Sequence, residues 1–149
     1  MRFAAPAFSV FFLACGATPE TDVADGGIFA PATCAPASAL QTVTSASGNC
    51  TVSGCSNQTP ARGENAFTLL IADSNGQPMD GLTVGVQPWM PDMGHGSSVN
   101  PTITAVDGGL YQVTNCVFTM GGVWQLRTTL SSATGDAASD DAVLTFTID

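Results

Sequence analysis

The sequence predicts an all-β domain, an immunoglobulin-like β-sandwich of about seven to eight strands. Three observations carry this. From Leu40 onward, short stretches of β-branched and apolar residues alternate with Gly, Asn, Asp and Pro, which is the punctuation of strands and turns. No helical period of useful length runs through the same region. The turn residues sit where hairpins need them.

Taken in order, the expected strands are Gln41–Ala46 and Cys50–Ser53 around Ser47-Gly48-Asn49, then Asn65–Ala72, Leu82–Trp89, Thr102–Val106, Leu110–Thr119, Val123–Leu130 and Ala142–Ile148. Ser74-Asn75-Gly76-Gln77-Pro78 supplies residues that tolerate positive φ before a proline, and Val106-Asp107-Gly108-Gly109 suits a hairpin turn. Strict alternation over Leu110–Phe118 puts Gln112, Thr114, Cys116 and Phe118 on one face, with Tyr111, Val113, Asn115 and Val117 on the other. Ser131–Asp141, rich in Ser, Ala and Asp, is expected as an exposed loop.

Ahead of the domain, residues 1–14 read as a signal peptide: Arg2, an apolar run from Phe3 to Ala14, then Cys15-Gly16. The run is shorter than the roughly 18–20 residues a membrane span requires, so it targets the chain and does not hold it in the bilayer. Phe12-Leu13-Ala14-Cys15 resembles the lipobox of bacterial lipoproteins, which implies that Cys15 becomes the lipidated first residue. The alternative is ordinary signal-peptidase cleavage nearby, with Cys15 discarded. Residues 15–39 have the Ala, Pro, Thr, Gly and acidic composition of a flexible tether, and 40–149 form the folded domain. Glycine after Cys15 resembles lipoproteins sorted to the outer membrane, so the expected location is the periplasmic side of the envelope.

Charge narrows the partners. The chain carries 12 Asp and Glu against 3 Lys and Arg, for a net charge of −9. Beyond Arg2 its only basic side chains are Arg62 and Arg127, besides His95. Such a surface repels phosphate backbones and anionic lipid, which argues against nucleic acid and leaves the lipid anchor as the membrane contact.

Cys34, Cys50, Cys55 and Cys116 remain after Cys15, and in an oxidising compartment they read as two disulfides. Four cysteines allow three connectivities, which stay open. Zinc at Cys50 and Cys55 is the weaker alternative, because no partner Cys-x-x-Cys or second histidine follows.

The chemistry gathers in Trp89-Met90-Pro91-Asp92-Met93-Gly94-His95-Gly96. Pro91, Gly94 and Gly96 are expected to break any strand and leave an irregular loop at a sheet edge. Phe118-Thr119-Met120-Gly121-Gly122 adds a further methionine. If the sandwich sets both loops at one end, Met90, Met93, His95 and Met120 converge. Thioether sulfur is neutral and polarisable, so such a set favours Cu(I) over hard ions, and an imidazole completes it. Thioethers also survive outside the cytoplasm, where thiols are lost to disulfides. The bland alternatives are methionine as gap filler and histidine as a turn residue; Met79 reads as packing. Trp89 offers a ring face to a cation, although alternation points it away from Met90.

Arg62-Gly63-Glu64-Asn65, Asn75-Gly76-Gln77-Pro78, the Trp89–Gly96 stretch, Gly109-Leu110-Tyr111 and Phe118–Trp124, in that order, resemble the FixH/YtkA-like domain over roughly Leu40 to Asp149. The resemblance implies an immunoglobulin-like fold. That family includes a protein linked to copper delivery during assembly of a haem–copper oxidase. The resemblance therefore implies Met90, Met93, His95 and Met120 as copper ligands, with another envelope copper protein or an oxidase subunit as partner. This chain departs from the oxidase-linked member in lacking its transmembrane helix and in carrying Cys34, Cys50, Cys55 and Cys116.

Two uses of the loop remain at this point, a Cu(I) carrier or sequestering site and a metal-free surface for protein–protein interaction. Catalysis is disfavoured. The sole histidine, Asp92 and Ser97 or Ser98 would have to form a triad inside one glycine-rich turn, whereas triads draw their groups from separate elements.

Overall fold

The computed structural model describes residues 34, 39–135 and 139–149. The segments expected as signal peptide, lipidated Cys15 and tether lie outside the described residues, apart from Cys34 and Ala39. Nine strands follow one another: β1 (Ala39–Thr44), β2 (Cys50–Cys55), β3 (Gly63–Asp73), β4 (Leu82–Met90), β5 (His95–Gly96), β6 (Thr102–Val106), β7 (Leu110–Phe118), β8 (Gly122–Ser132) and β9 (Asp140–Ile148). They form a five-stranded sheet, β1-β2-β3-β7-β6, and a four-stranded sheet, β5-β4-β8-β9. Every pairing is antiparallel. The molecule is the all-β sandwich that the sequence predicts.

The count exceeds the expected seven to eight because His95–Gly96 pairs with Met90 and Trp89 as a two-residue strand. The segment read as an irregular loop is a tight hairpin. At the other end of β8, strand pairing runs to Ser132 and resumes at Asp140, so the expected Ser131–Asp141 loop is shorter at both ends.

Alternation builds the core. β8 turns Trp124, Leu126, Thr128 and Leu130 inward, and β9 turns Ala142, Leu144 and Ile148 inward to meet Val52, Phe67, Leu69 and Ile71 of the facing sheet. Phe118 stands 5.1 Å from Trp124 and 5.6 Å from Phe146, centroid to centroid. One flank of the sandwich is tied shut where Gln41 Oε1 accepts from Thr145 N and Asp141 O accepts from Ala46 N.

The expected faces of β7 are corrected. Tyr111, Val113, Cys116 and Phe118 all point inward. Asn65 pairs with Cys116 but Phe67 with Val113, so β7 carries one extra residue there. Asn115 lies at φ 57°, a left-handed conformation that asparagine tolerates. The resulting bulge shifts the phase of everything after it.

The cysteines are corrected as well. Cys34 and Cys55 form a disulfide with Cα atoms 5.4 Å apart, while Cys50 and Cys116 are free, buried thiols. Cys50 pairs with Asp73 and Cys116 with Asn65, which places them near opposite ends of β3. Eight residues of strand separate those partners by about 27 Å, far beyond disulfide reach. Burial pushes the Cys116 thiol up to about 12, which leaves it unreactive. Bonding of Cys55 to Cys34 also removes the zinc alternative.

Candidate metal centre

Met90 ends β4 and Gly122 begins β8, so the β4–β5 hairpin and the β7–β8 loop occupy the same end of the sandwich. The hairpin is built by backbone bonds. Met90 O accepts from Gly94 N at 3.0 Å and from Met93 N at 3.3 Å. Pro91 suits the first position of such a turn, and Gly94, at φ 67°, ends it in the left-handed region. Gly96 lets β5 approach β4, since a Cβ there would lie 2.7 Å from Pro88 O.

Met90 and His95 are directly opposite in this pair. Their side chains therefore leave the same face of the sheet, with Cβ atoms about 5 Å apart. Met90 is 5 % exposed and packs in the core cluster. Its methyl group sits over Gly122: a Cβ on that residue would lie 2.5 Å from Met90 Cε. Two residues earlier, Met120 is half-buried against the core, and its carbonyl accepts from Trp124 Nε1 at 2.9 Å. Met93 projects from the tip of the hairpin, 58 % exposed. The fold thus brings Met90, His95 and the Met120 loop to one end and leaves the Met93 side chain in solvent.

His95 is exposed, and its Nδ1 lies 3.2 Å from Gly96 O. A carbonyl only accepts, so a hydrogen bond here needs the proton on Nδ1, the tautomer of the neutral ring in which Nε2 is open to a ligand. Among the described residues no three His, Cys, Asp or Glu side chains gather as a metal group. The donors that the sequence singles out at this end, thioethers and an imidazole, form a set that fits a soft ion.

A family model described as YtkA-like matches residues 44–129, more than half of the 149-residue chain. The chain belongs to the YtkA-like family. No curated protein and no solved structure matches it.

In this YtkA-like domain Trp89 faces outward, and its ring is covered by Arg127, whose guanidinium carbon lies 4.4 Å from the ring centroid. That face is occupied from within the chain, so Trp89 does not cover a cation beside Met90.

Several residues that set this end escape pattern reading. Trp124 is the clearest: strand alternation marks it as core, but its indole N–H also fixes the Met120 carbonyl. Buried Asn65 donates from Nδ2 to Ala61 O and Gly63 O and accepts from Ala61 N, shaping the segment that carries Arg62. Arg62 in turn donates from Nε to Asp149 O at 3.1 Å beside Gly121. The sequence showed only the Arg62-Gly63-Glu64-Asn65 run; that Asn65 turns inward is visible in the structure alone.

Proposed function

We propose that this YtkA-like protein is a lipid-anchored, extracytoplasmic Cu(I)-binding protein, a carrier or sequestering protein that uses Met90, Met93, His95 and Met120. The observation that carries the reading is the pairing of Met90 with His95 in one hairpin, with the methyl of Met90 seated on Gly122 of the Met120 loop. Cu(I) is the cargo. Its preference for neutral, polarisable donors suits thioethers and an imidazole with a free nitrogen. Exposed Met93 and His95 are the donors that an acceptor protein would displace first during ligand exchange. Anchoring through Cys15 and a tether as far as Cys34, where the disulfide joins the chain to β2, would hold the domain on the periplasmic side of the envelope, within reach of another copper protein or an oxidase subunit.

We read the domain as non-catalytic. His95 Nδ1 faces its neighbour's carbonyl, so the contact that orients it is not a carboxylate.

A metal-free interaction module is the second reading, and the burial of Met90 favours it, because a packed methionine needs no metal to explain it. Anaerobic competition for Cu(I) against a chromophoric chelator separates the two. The domain from Thr33 to Asp149 is expected to withdraw one equivalent, and a variant with Met90→Leu, Met93→Leu and Met120→Leu to withdraw none while keeping its circular dichroism. Leucine preserves bulk at a cost below about 1.5 kcal/mol per site and deletes the sulfur. Failure of the parent to compete would leave the hairpin as a packing surface.

A further inference from the structure

The end of the sandwich remote from the hairpin opens into a cavity of about 490 Å³. Gly122, at the Met90 end of β8, pairs with Ile148, whereas Leu130 pairs with Asp140. Eight residues of strand set the two ends about 27 Å apart. The floor of the cavity is apolar, formed by Cys50, Met79, Leu82 and Leu130 between the two sheets. Its volume falls within the range of small-molecule pockets, about 300–1,000 Å³.

Among the described residues one charged group stands at the rim. Asp140 Oδ1 accepts from Ser47 N and from Asp141 N, each at 3.0 Å, and Oδ2 accepts from the Ser47 hydroxyl. Cys50 Sγ, on the floor, also donates to Oδ2 at 3.8 Å. Hydrogen bonds from the Ser45 and Ser47 hydroxyls hold the Asp140 carboxyl well below the usual carboxylate range. The carboxylate is therefore fixed in place and ionised at neutral pH. No basic side chain of the domain neutralises it: lysine is absent, Arg62 is held at Asp149 O, and Arg127 lies on Trp89.

An apolar floor with an immobilised, uncompensated anion at its mouth has a definite complement. We propose that this cavity binds a small apolar molecule that carries a protonated amine, with the hydrocarbon on the floor formed by Cys50, Met79, Leu82 and Leu130 and the ammonium at Asp140. The site is independent of the Met90–His95 hairpin and does not rest on copper binding.

Titration of the ¹⁵N-labelled protein with hexylammonium, hexanol and hexanoate, followed by amide chemical shifts, tests this directly. Hexylammonium is expected to give saturable shifts at Cys50, Leu82 and Leu130, binding about three- to five-fold more tightly than hexanol, with hexanoate weakest; the factor is that of a partly exposed ion pair. Asp140→Asn should erase the advantage of the amine and leave hexanol unchanged, and Leu130→Trp should abolish binding of both. Absence of saturable shifts, hexanoate binding as tightly as hexylammonium, or hexanol matching hexylammonium on the unsubstituted protein would each overturn the assignment. The charge series on the unsubstituted protein reads out whether or not either variant folds.

Discussion

Gly122 shows how a single missing side chain shapes the candidate centre. Its φ is 128°, where L side chains are strained, and a Cβ would meet the Met90 methyl at 2.5 Å. Gly122→Ala is expected to displace Met90 and to destabilise the domain by about 1–3 kcal/mol, combining overpacking with backbone strain. Urea titration measures the stability, and chelator competition should show Cu(I) affinity reduced about tenfold. An unchanged urea midpoint would mean that Met90 swings clear at little cost. The residue types of this centre were legible from their crowding in one glycine-rich stretch. Their division into buried Met90, half-buried Met120 and exposed Met93 was not, because it depends on which way β4 faces and on what packs against its end.

Among the elements, β1 is one of three edge strands, with β5 and β6, that bury no residue fully. Its six residues are exposed or half-buried, and within its sheet it pairs with β2 alone. The Cys34–Cys55 disulfide closes a separation of 21 residues around it. In the chain-entropy account a loop of that size contributes about 3 kcal/mol by restricting the unfolded chain. Cys34→Ser is therefore expected to lower the unfolding free energy by about 3 kcal/mol in urea. Native-state hydrogen exchange should quicken first at Gln41–Thr44. Exchange that quickens uniformly over all nine strands would show that β1 has no separate opening. Residue pattern located β1 and β2 to within two residues at each end. Which cysteines meet was decided by register, which puts Cys50 and Cys116 at opposite ends of β3.

At the scale of the molecule, the charge of −9 sets up an acid response with two opposing parts. Protonation of carboxylates relieves self-repulsion and so favours the fold. Against this, Asp73 and Asp140 both have lowered folded-state pKa values: backbone N–H donation from Gln77 leads at Asp73, and the Ser45 and Ser47 hydroxyls lead at Asp140. A depressed carboxylate adds stability that is present above the unfolded pKa, about 3.9, and is lost as pH falls through the folded value. Unfolding free energies measured by urea from pH 6 to pH 2 should accordingly fall more steeply below about pH 4 in the parent than in the Asp73→Asn, Asp140→Asn double variant. Identical slopes would remove these two turns from the acid response.

What the sequence determined by itself is local and periodic: the all-β class, the bounds of most strands to within a few residues, the turns at Asn75-Gly76 and Gly108-Gly109, and the stretch in which thioethers and imidazole crowd together. These follow from side-chain period and from backbone preferences that each residue carries wherever it sits. The tertiary structure alone decided the inward turn of Cys116 and Phe118 after the Asn115 bulge, the single disulfide, the pairing of His95 with Met90, and the cavity at Asp140. Each depends on the register of segments distant in the chain. One extra residue in a strand reverses every face beyond it, and no window of local sequence contains the partner strand against which that residue is counted.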